Sequence, residues 1–188
     1  MSATVFNQRF SKVDFTKQEL AKEYESCTFT DCSFEGTTLS QIQFVDCEFH
    51  QCNLSTAKIS GTGWKKVVFK GCKMLGLHFE QSNPFLLELA FENCVLNYSC
   101  FYKLKLKSTR FLHCQLEEVD FSEADLCKSV FTGSTLSLAS FDQTNLSEAD
   151  FCEAFAYRIN PTLNQIRKAK FSFPQAAGLL VDFGVELL

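Results

Sequence analysis

Proline is scarce in this chain, with three in 188 residues, and there are only eight glycines. That composition excludes a collagen-like repeat and a Pro/Gly-rich disordered linker. Tryptophan occurs once and tyrosine four times, against 21 phenylalanines. No apolar run approaches the roughly 18 residues that a membrane-spanning helix needs. The opening MSATVFNQRFSK lacks the apolar core of a secretory signal. These absences give the expectation of a cytoplasmic protein that neither enters nor crosses a membrane. Catalytic motifs are missing too: there is no GxGxxG, P-loop, HExxH or nucleophile elbow. The three histidines, His50, His78 and His113, stand far apart in the sequence. The expectation is therefore a protein that is not an enzyme and has no catalytic residue, cofactor or metal site.

What is present is a period. From Phe91 every fifth residue is Phe or Leu, in strict alternation: Phe91, Leu96, Phe101, Leu106, Phe111, Leu116, Phe121, Leu126, Phe131, Leu136, Phe141, Leu146, Phe151. Two positions before each stands a small or uncharged residue, among them Cys94, Ser99, Ala124 and Ala149. A period of five suits neither a helix nor a simple strand, and fixed self-similarity points to a stacked repeat. Residues two apart in an extended piece face the same side. Each five-residue unit thus reads as one short side plus a corner, with two inward residues. Four units close a square turn, and twenty residues later the chain lies above itself at about 4.8 Å, the strand spacing. Upstream the same register holds through Phe29, Phe34, Leu39, Phe44, Phe49, Leu54, Ile59, Trp64, Phe69, Met74 and Phe79. The predicted core is Phe29, Phe34, Phe44, Phe49, Phe69, Phe79, Phe91, Phe101, Phe111, Phe121, Phe131, Phe141 and Phe151. Truncating one of these to Ala is expected to cost about 3–5 kcal/mol, read as a loss in chemical denaturation.

The ten cysteines look at first like a disulfide framework or a zinc site. Seven of them, Cys27, Cys32, Cys47, Cys52, Cys72, Cys94 and Cys114, hold the small inward position, where a thiol acts as a small hydrophobe. Cys100, Cys127 and Cys152 fall off that position.

Ala124-Asp125-Leu126 and Ala149-Asp150-Phe151 match the consensus A(D/N)LXX, and Thr144-Asn145-Leu146 nearly does. The chain resembles the pentapeptide-repeat family. That resemblance implies an all-β fold, a right-handed quadrilateral β-helix, here with short C-terminal helices. The expected organisation is an N-terminal cap and first partial coil over 1–25, the repeat over 26–156, and a helical, dimerising cap over 157–188. Within the cap regions, Thr16 to Glu19 reads as a capping box, and Asn160-Pro161 as the start of a helix through about Lys168. A second helix is expected from Phe173-Pro174 to Gly184.

Phe79 and Phe91 lie twelve residues apart where ten would keep phase, so a register slip falls at 80–90. Two extra residues must bulge there. Pro84, Phe85, Leu86 and Leu87 are the expected loop and a candidate partner contact. The apolar tail offers a candidate dimer interface: Leu179, Leu180, Phe183, Val185 and Leu187. Charge is uneven within the net −4. Glu117, Glu118, Asp120, Glu123, Asp125, Asp142, Glu148, Asp150 and Glu153 share their segment with one base, Lys128. Lys58 to Lys73 and Lys103 to Arg110 carry only bases. The acids read either as solvated corner residues or as a partner surface that stands in for DNA, itself charged about once per 1.7 Å.

Two further stretches, Phe15-Thr16 to Cys27-x-Phe29-x-x-Cys32-x-Phe34 and Ile159-Asn160-Pro161 to Phe183-Gly184-Val185, resemble the quinolone-resistance (Qnr) and microcin-immunity (McbG-like) branch. That resemblance implies a homodimer, joined here through the C-terminus, that mimics DNA. It also implies binding to DNA gyrase or topoisomerase IV, relief of poisoning by quinolones or peptide toxins, and no direct binding of nucleic acid. The Qnr proteins carry two projecting loops, whereas this chain has only the slip near Pro84. The other reading is a protein-interaction scaffold with an unrelated partner.

Overall fold

The computed structural model describes residues 4–185. The chain winds into a parallel β-solenoid of about eight turns. Thr28–Thr30 pairs with Glu48–His50, and Gln43–Val45 with Gly63–Lys70, each in parallel register one coil apart. Single bridges continue the ladders to the C-terminal half, as at Asp120↔Ser140 and Asp125↔Asn145.

Why a unit has five residues is visible in the backbone. The residue two after nearly every central Phe or Leu lies in the left-handed region, as at Asp31 (φ 53), Asp46 (φ 51), Asn93 (φ 53), Glu118 (φ 52) and Lys128 (φ 63). That conformation turns the corner. Most of these residues are not glycine, so each corner carries a steric cost of about 1–2 kcal/mol that the packing inside must offset.

The packing is two-fold. Phe10, Phe29, Phe49, Phe69, Phe91, Phe111, Phe131, Phe151 and Phe171 stack in one column, centroids 4.6 to 5.6 Å apart. Phe79, Phe101, Phe121 and Phe141 form a second column on the opposite face. The two meet edge to face, as in Phe111–Phe121 at 5.6 Å. Each such pair is worth about 0.5–1.5 kcal/mol beyond its buried area. In the N-terminal half aromatics line other faces instead, through Tyr24–Phe44–Trp64 and Phe15–Phe34. Trp64 is fully buried, and its indole N–H donates to Ser82 Oγ at 3.1 Å.

The small inward residue has a polar task. Its side chain donates to the carbonyl of a central residue one coil earlier: Cys52 to Phe29, Cys94 to Phe69, Ser129 to Leu106, Ser134 to Phe111, Thr144 to Phe121. Some of these carbonyls also accept from a corner N–H, as Leu106 does from Thr109 and Phe121 from Ala124, and the side chain adds a bond that in turn satisfies its own buried donor. Cys32, Cys52, Cys72, Cys94 and Cys114 stand in one such row, all buried and unbridged.

Three details differ from the sequence reading. Regular winding is already present at Thr4, within the segment read as a cap and first partial coil: Thr4–Phe6 pairs with Glu23–Glu25, and Arg9–Ser11 with Thr28–Thr30. That first turn is one residue short, which hides the period. The capping box at Thr16–Glu19 does not form; Asp14 caps a single 3-10 turn, Phe15–Lys17, by accepting from Thr16 N–H at 3.1 Å. No helix follows Pro161. The segment 160–171 is another coil, with Asn145 bridged to Gln165 and Asp150–Phe151 paired with Lys170–Phe171. Its inward residues, Ile166 and Phe171, sit one twenty-residue turn beyond Leu146 and Phe151, so the hydrophobic ladder outcompetes the local helix signal. The tail then forms two 3-10 segments, Pro174–Leu179 and Val181–Phe183, ending at left-handed Gly184.

At the slip, Trp64 pairs with Leu87 and Phe69 with Phe91, with an irregularity between Trp64 and Val67. The excess chain projects as one 3-10 turn, Pro84–Leu86.

Candidate functional site

Three surface features stand out. The first is acidic. Glu117, Glu118, Asp120, Glu123 and Asp125 all lie on one coil, and Asp142, Glu148, Asp150 and Glu153 on the next. They occupy the outward positions flanking Leu116, Phe121, Leu126, Phe141, Leu146 and Phe151, and so run around all four faces. The result is a collar around the rod, not a stripe along it.

Within the collar the carboxylates divide by task. Asp120, Asp125 and Asp150 each accept from the backbone N–H two residues on, at 2.8, 3.1 and 3.0 Å. These three hold the corners. Glu123, Glu148 and Asp150 face lysines one coil away, Lys103, Lys128 and Lys170, at 3.2, 3.8 and 3.4 Å. Tyr102 O–H also donates to Glu123 at 2.7 Å, and that bond, with Lys103 beside it, holds the Glu123 carboxyl below its ordinary range. Glu117, Glu118 and Asp142 make no ion pair among the described residues; Glu117 and Glu118 stand at the corner between the Leu116 and Phe121 faces, and Asp142 at the next corner, above Glu123. The sequence reading treated the acids as one set. Their pairing is nonetheless written in the sequence as opposite charges twenty residues apart.

The second feature lies on the face of Trp64 and Leu106. Phe85 is 93% exposed at the tip of the 3-10 turn, beside exposed Pro84. Leu86 and Leu87 are half-buried. Leu86 lies over Gly63, where an added Cβ would crowd its methyl at 3.1 Å and meet the Gln43 side chain closer still, so the turn sits close against a glycine. Asn83 fixes the turn from within, its side chain accepting from Phe85 N–H at 3.1 Å and its N–H donating to Thr62 at 2.9 Å. Lys65, Lys66, Lys105 and Lys107 are exposed on the coils either side, and none makes an ion pair among the described residues.

The third is the C-terminal end. Leu179 packs partly against the core, while Leu180, Val181, Phe183 and Val185 are 39 to 50% exposed. Phe173, at 96%, and Phe155 and Leu163 extend this apolar end; the sequence offered Phe173 only as the start of a helix, and singled out neither of the others. Leu187 lies outside the described residues. The tail is held by Ile159 N–H to Gly178 O at 3.1 Å and by Arg158–Asp182 at 3.6 Å.

All thirteen phenylalanines of the predicted core are buried, the most exposed being Phe141 at 4%. His50 and His78 pair locally with Glu48 and Glu80 at 2.8 and 2.9 Å, and His113 is exposed. Among the described residues no group of three or more His, Cys, Asp or Glu is placed to hold a metal ion. No helix there is long and apolar enough to cross a membrane.

With this geometry in hand, comparison with known proteins gives consistent matches. The model described as "Pentapeptide repeat region" matches residues 42–121, and that of "Pentapeptide repeats (8 copies)" matches 114–155. Together they span more than half of the chain. Among curated proteins none matches it. Among known structures, QnrB1, a plasmid-mediated fluoroquinolone resistance protein, is similar over 100% of this chain and 98% of its own, with TM-score 0.64 and 17% identity. HetL, a pentapeptide-repeat protein involved in heterocyst differentiation regulation in a Nostoc cyanobacterium, is similar over 89% of this chain and 86% of its own, with TM-score 0.68 and 14% identity. At such identities the likeness is one of fold. On its repeats and its solenoid, this chain belongs to the pentapeptide-repeat family and resembles the Qnr branch within it.

Proposed function

We propose that this chain is a cytoplasmic, non-catalytic interaction protein that binds a type II topoisomerase, DNA gyrase or topoisomerase IV, and shields it from a quinolone or a peptide toxin. The observation that carries this reading is the acidic collar, in which Glu117, Glu118 and Asp142 make no ion pair among the described residues. Negative charge fixed on a rigid rod steers it toward a basic groove. In this reading two copies join through the apolar C-terminal end at Leu180, Phe183 and Val185, as exposed apolar patches of that kind commonly do. Their collars then flank the centre of the dimer. Whole-chain similarity to QnrB1 supports the choice of partner.

The test is gyrase supercoiling with a quinolone and, separately, with a peptide poison. The wild-type chain restores supercoiling against at least one of them. The triple variant Glu117→Gln, Glu118→Gln, Asp142→Asn restores it at least about tenfold less efficiently. Absence of any effect with either poison contradicts the proposal.

One observation favours a second reading, a scaffold for an unrelated partner. The acids encircle the rod, whereas duplex DNA carries its charge along its axis. A partner captured by the chain in preference to gyrase, and still sensitive to the triple variant, would establish that reading.

A further inference from the structure

The Phe85 turn has the makings of a pre-built anchor. A fully exposed aromatic ring is costly to keep in water, yet this one stands on a turn tied down on both sides. Asn83 closes the turn, Leu86 is seated over Gly63, and Ser82 below it holds the Trp64 indole. A ring presented this way loses little freedom on binding, the property of interface hot spots. Around it stand Lys65 and Lys66 on the preceding coil and Lys105 and Lys107 on the following one. Glu88 is the one exposed acid among them.

The charge along this face limits what fits. Glu23, Glu25 and Asp46 lie toward its N-terminal end, and Asp125 and Glu148 toward its C-terminal end. The basic zone is thus bounded to about three coils, roughly 10–15 Å at the strand spacing. A flat anionic membrane would meet the acids on both sides. A nucleic-acid strand binds through successive bases stacked on several aromatics, and this zone presents one exposed ring.

We propose that the Phe85 turn and its four lysines form a docking site for a short acidic segment of a partner protein, which takes the ring between apolar side chains and places carboxylates on the lysines. The site is separate from the acidic collar and independent of what the collar binds. The rod then carries two contacts of opposite charge.

The experiment is selection of short random peptides displayed on phage against the full chain, with counter-selection on Phe85→Asp. Enriched peptides are synthesised and their affinities measured by fluorescence anisotropy. The expected result is acidic sequences with at least one large apolar residue. Their binding weakens at least about tenfold on Phe85→Asp, again on Lys65→Glu with Lys107→Glu, and as salt rises from about 50 to 200 mM. Thermal melting of each variant confirms an intact fold, as all three positions are exposed. No enrichment overturns the proposal, as does enrichment of peptides without acids or indifferent to both variants. Phe85-dependent binding to phosphatidylserine vesicles or to a single-stranded oligonucleotide, stronger than to any peptide, overturns it in favour of a membrane or a nucleic acid.

Discussion

A buried hydroxyl-to-carbonyl bond is the sharpest probe at the residue scale. Ser129 donates to Leu106 O at 2.8 Å from a fully buried position. Leu106 O also accepts from Thr109 N–H at 3.0 Å, so Ser129→Ala removes one of its two bonds without stranding it, and stability should fall by about 0.5–1.5 kcal/mol in urea denaturation. Alkaline pH probes the same interior. Burial pushes the Cys47 thiol from 9.0 up to about 12 and the Tyr157 phenol from 10.0 up to about 12. Both groups are raised, so the folded state favours their protonated forms. Their stabilisation is intact below about pH 9 and is lost as pH rises toward 12. Denaturation midpoints should therefore fall across that window, with a shallower fall in Cys47→Ala. The inward residues were legible in the sequence because their spacing is strict. The corner residues were not. Gly36, Gly61, Gly71, Gly76 and Gly133 mark some corners, but Lys128, Leu138 and Glu148 lie in the same left-handed region without being glycine, so side-chain identity there marks the corner only in places.

At the scale of elements, the period located the winding, and its irregularities marked where reading failed. The slip near Pro84 was legible because strong Phe positions flank it on both sides. The short first turn was not, since Val5, Phe10 and Phe15 reach Tyr24, Phe29 and Phe34 with one residue missing. Past Phe151 the helix expected at Pro161 gave way to a coil, because Ile166 and Phe171 extend ladders already built by Leu146 and Phe151. Phe171 stacks on Phe151 at 5.3 Å, and Tyr157 packs against both. The tail depends on one close approach. A Cβ on Gly178 would fall 2.3 Å from the Tyr157 carbonyl oxygen, where nothing flexible can yield. Gly178→Ala should cost about 1–3 kcal/mol and loosen the two 3-10 segments. Hydrogen exchange would show this as faster exchange at Ile159 and Leu180, with the amides of the Phe111 coil unchanged.

At the scale of the molecule the account describes a stiff rod with segregated charge. An acidic collar lies toward one end, a lysine-rimmed aromatic lies near the middle, and an apolar end is suited to a second copy. The sequence showed the excess of acids after Glu117 and their spread over several faces, and the winding revealed that Lys103, Lys128 and Lys170 neutralise part of them. Glu117, Glu118 and Asp142 are among the acids left without a lysine partner, and the proposed function rests on them. The most direct measurement is the affinity of the purified chain for DNA gyrase, for the wild type and for Glu117→Gln, Glu118→Gln, Asp142→Asn, at low and moderate salt. The account predicts saturable binding that weakens at least about tenfold in the triple variant and falls further as salt screens the charges. Binding of equal strength in both proteins, or none in either, would contradict it.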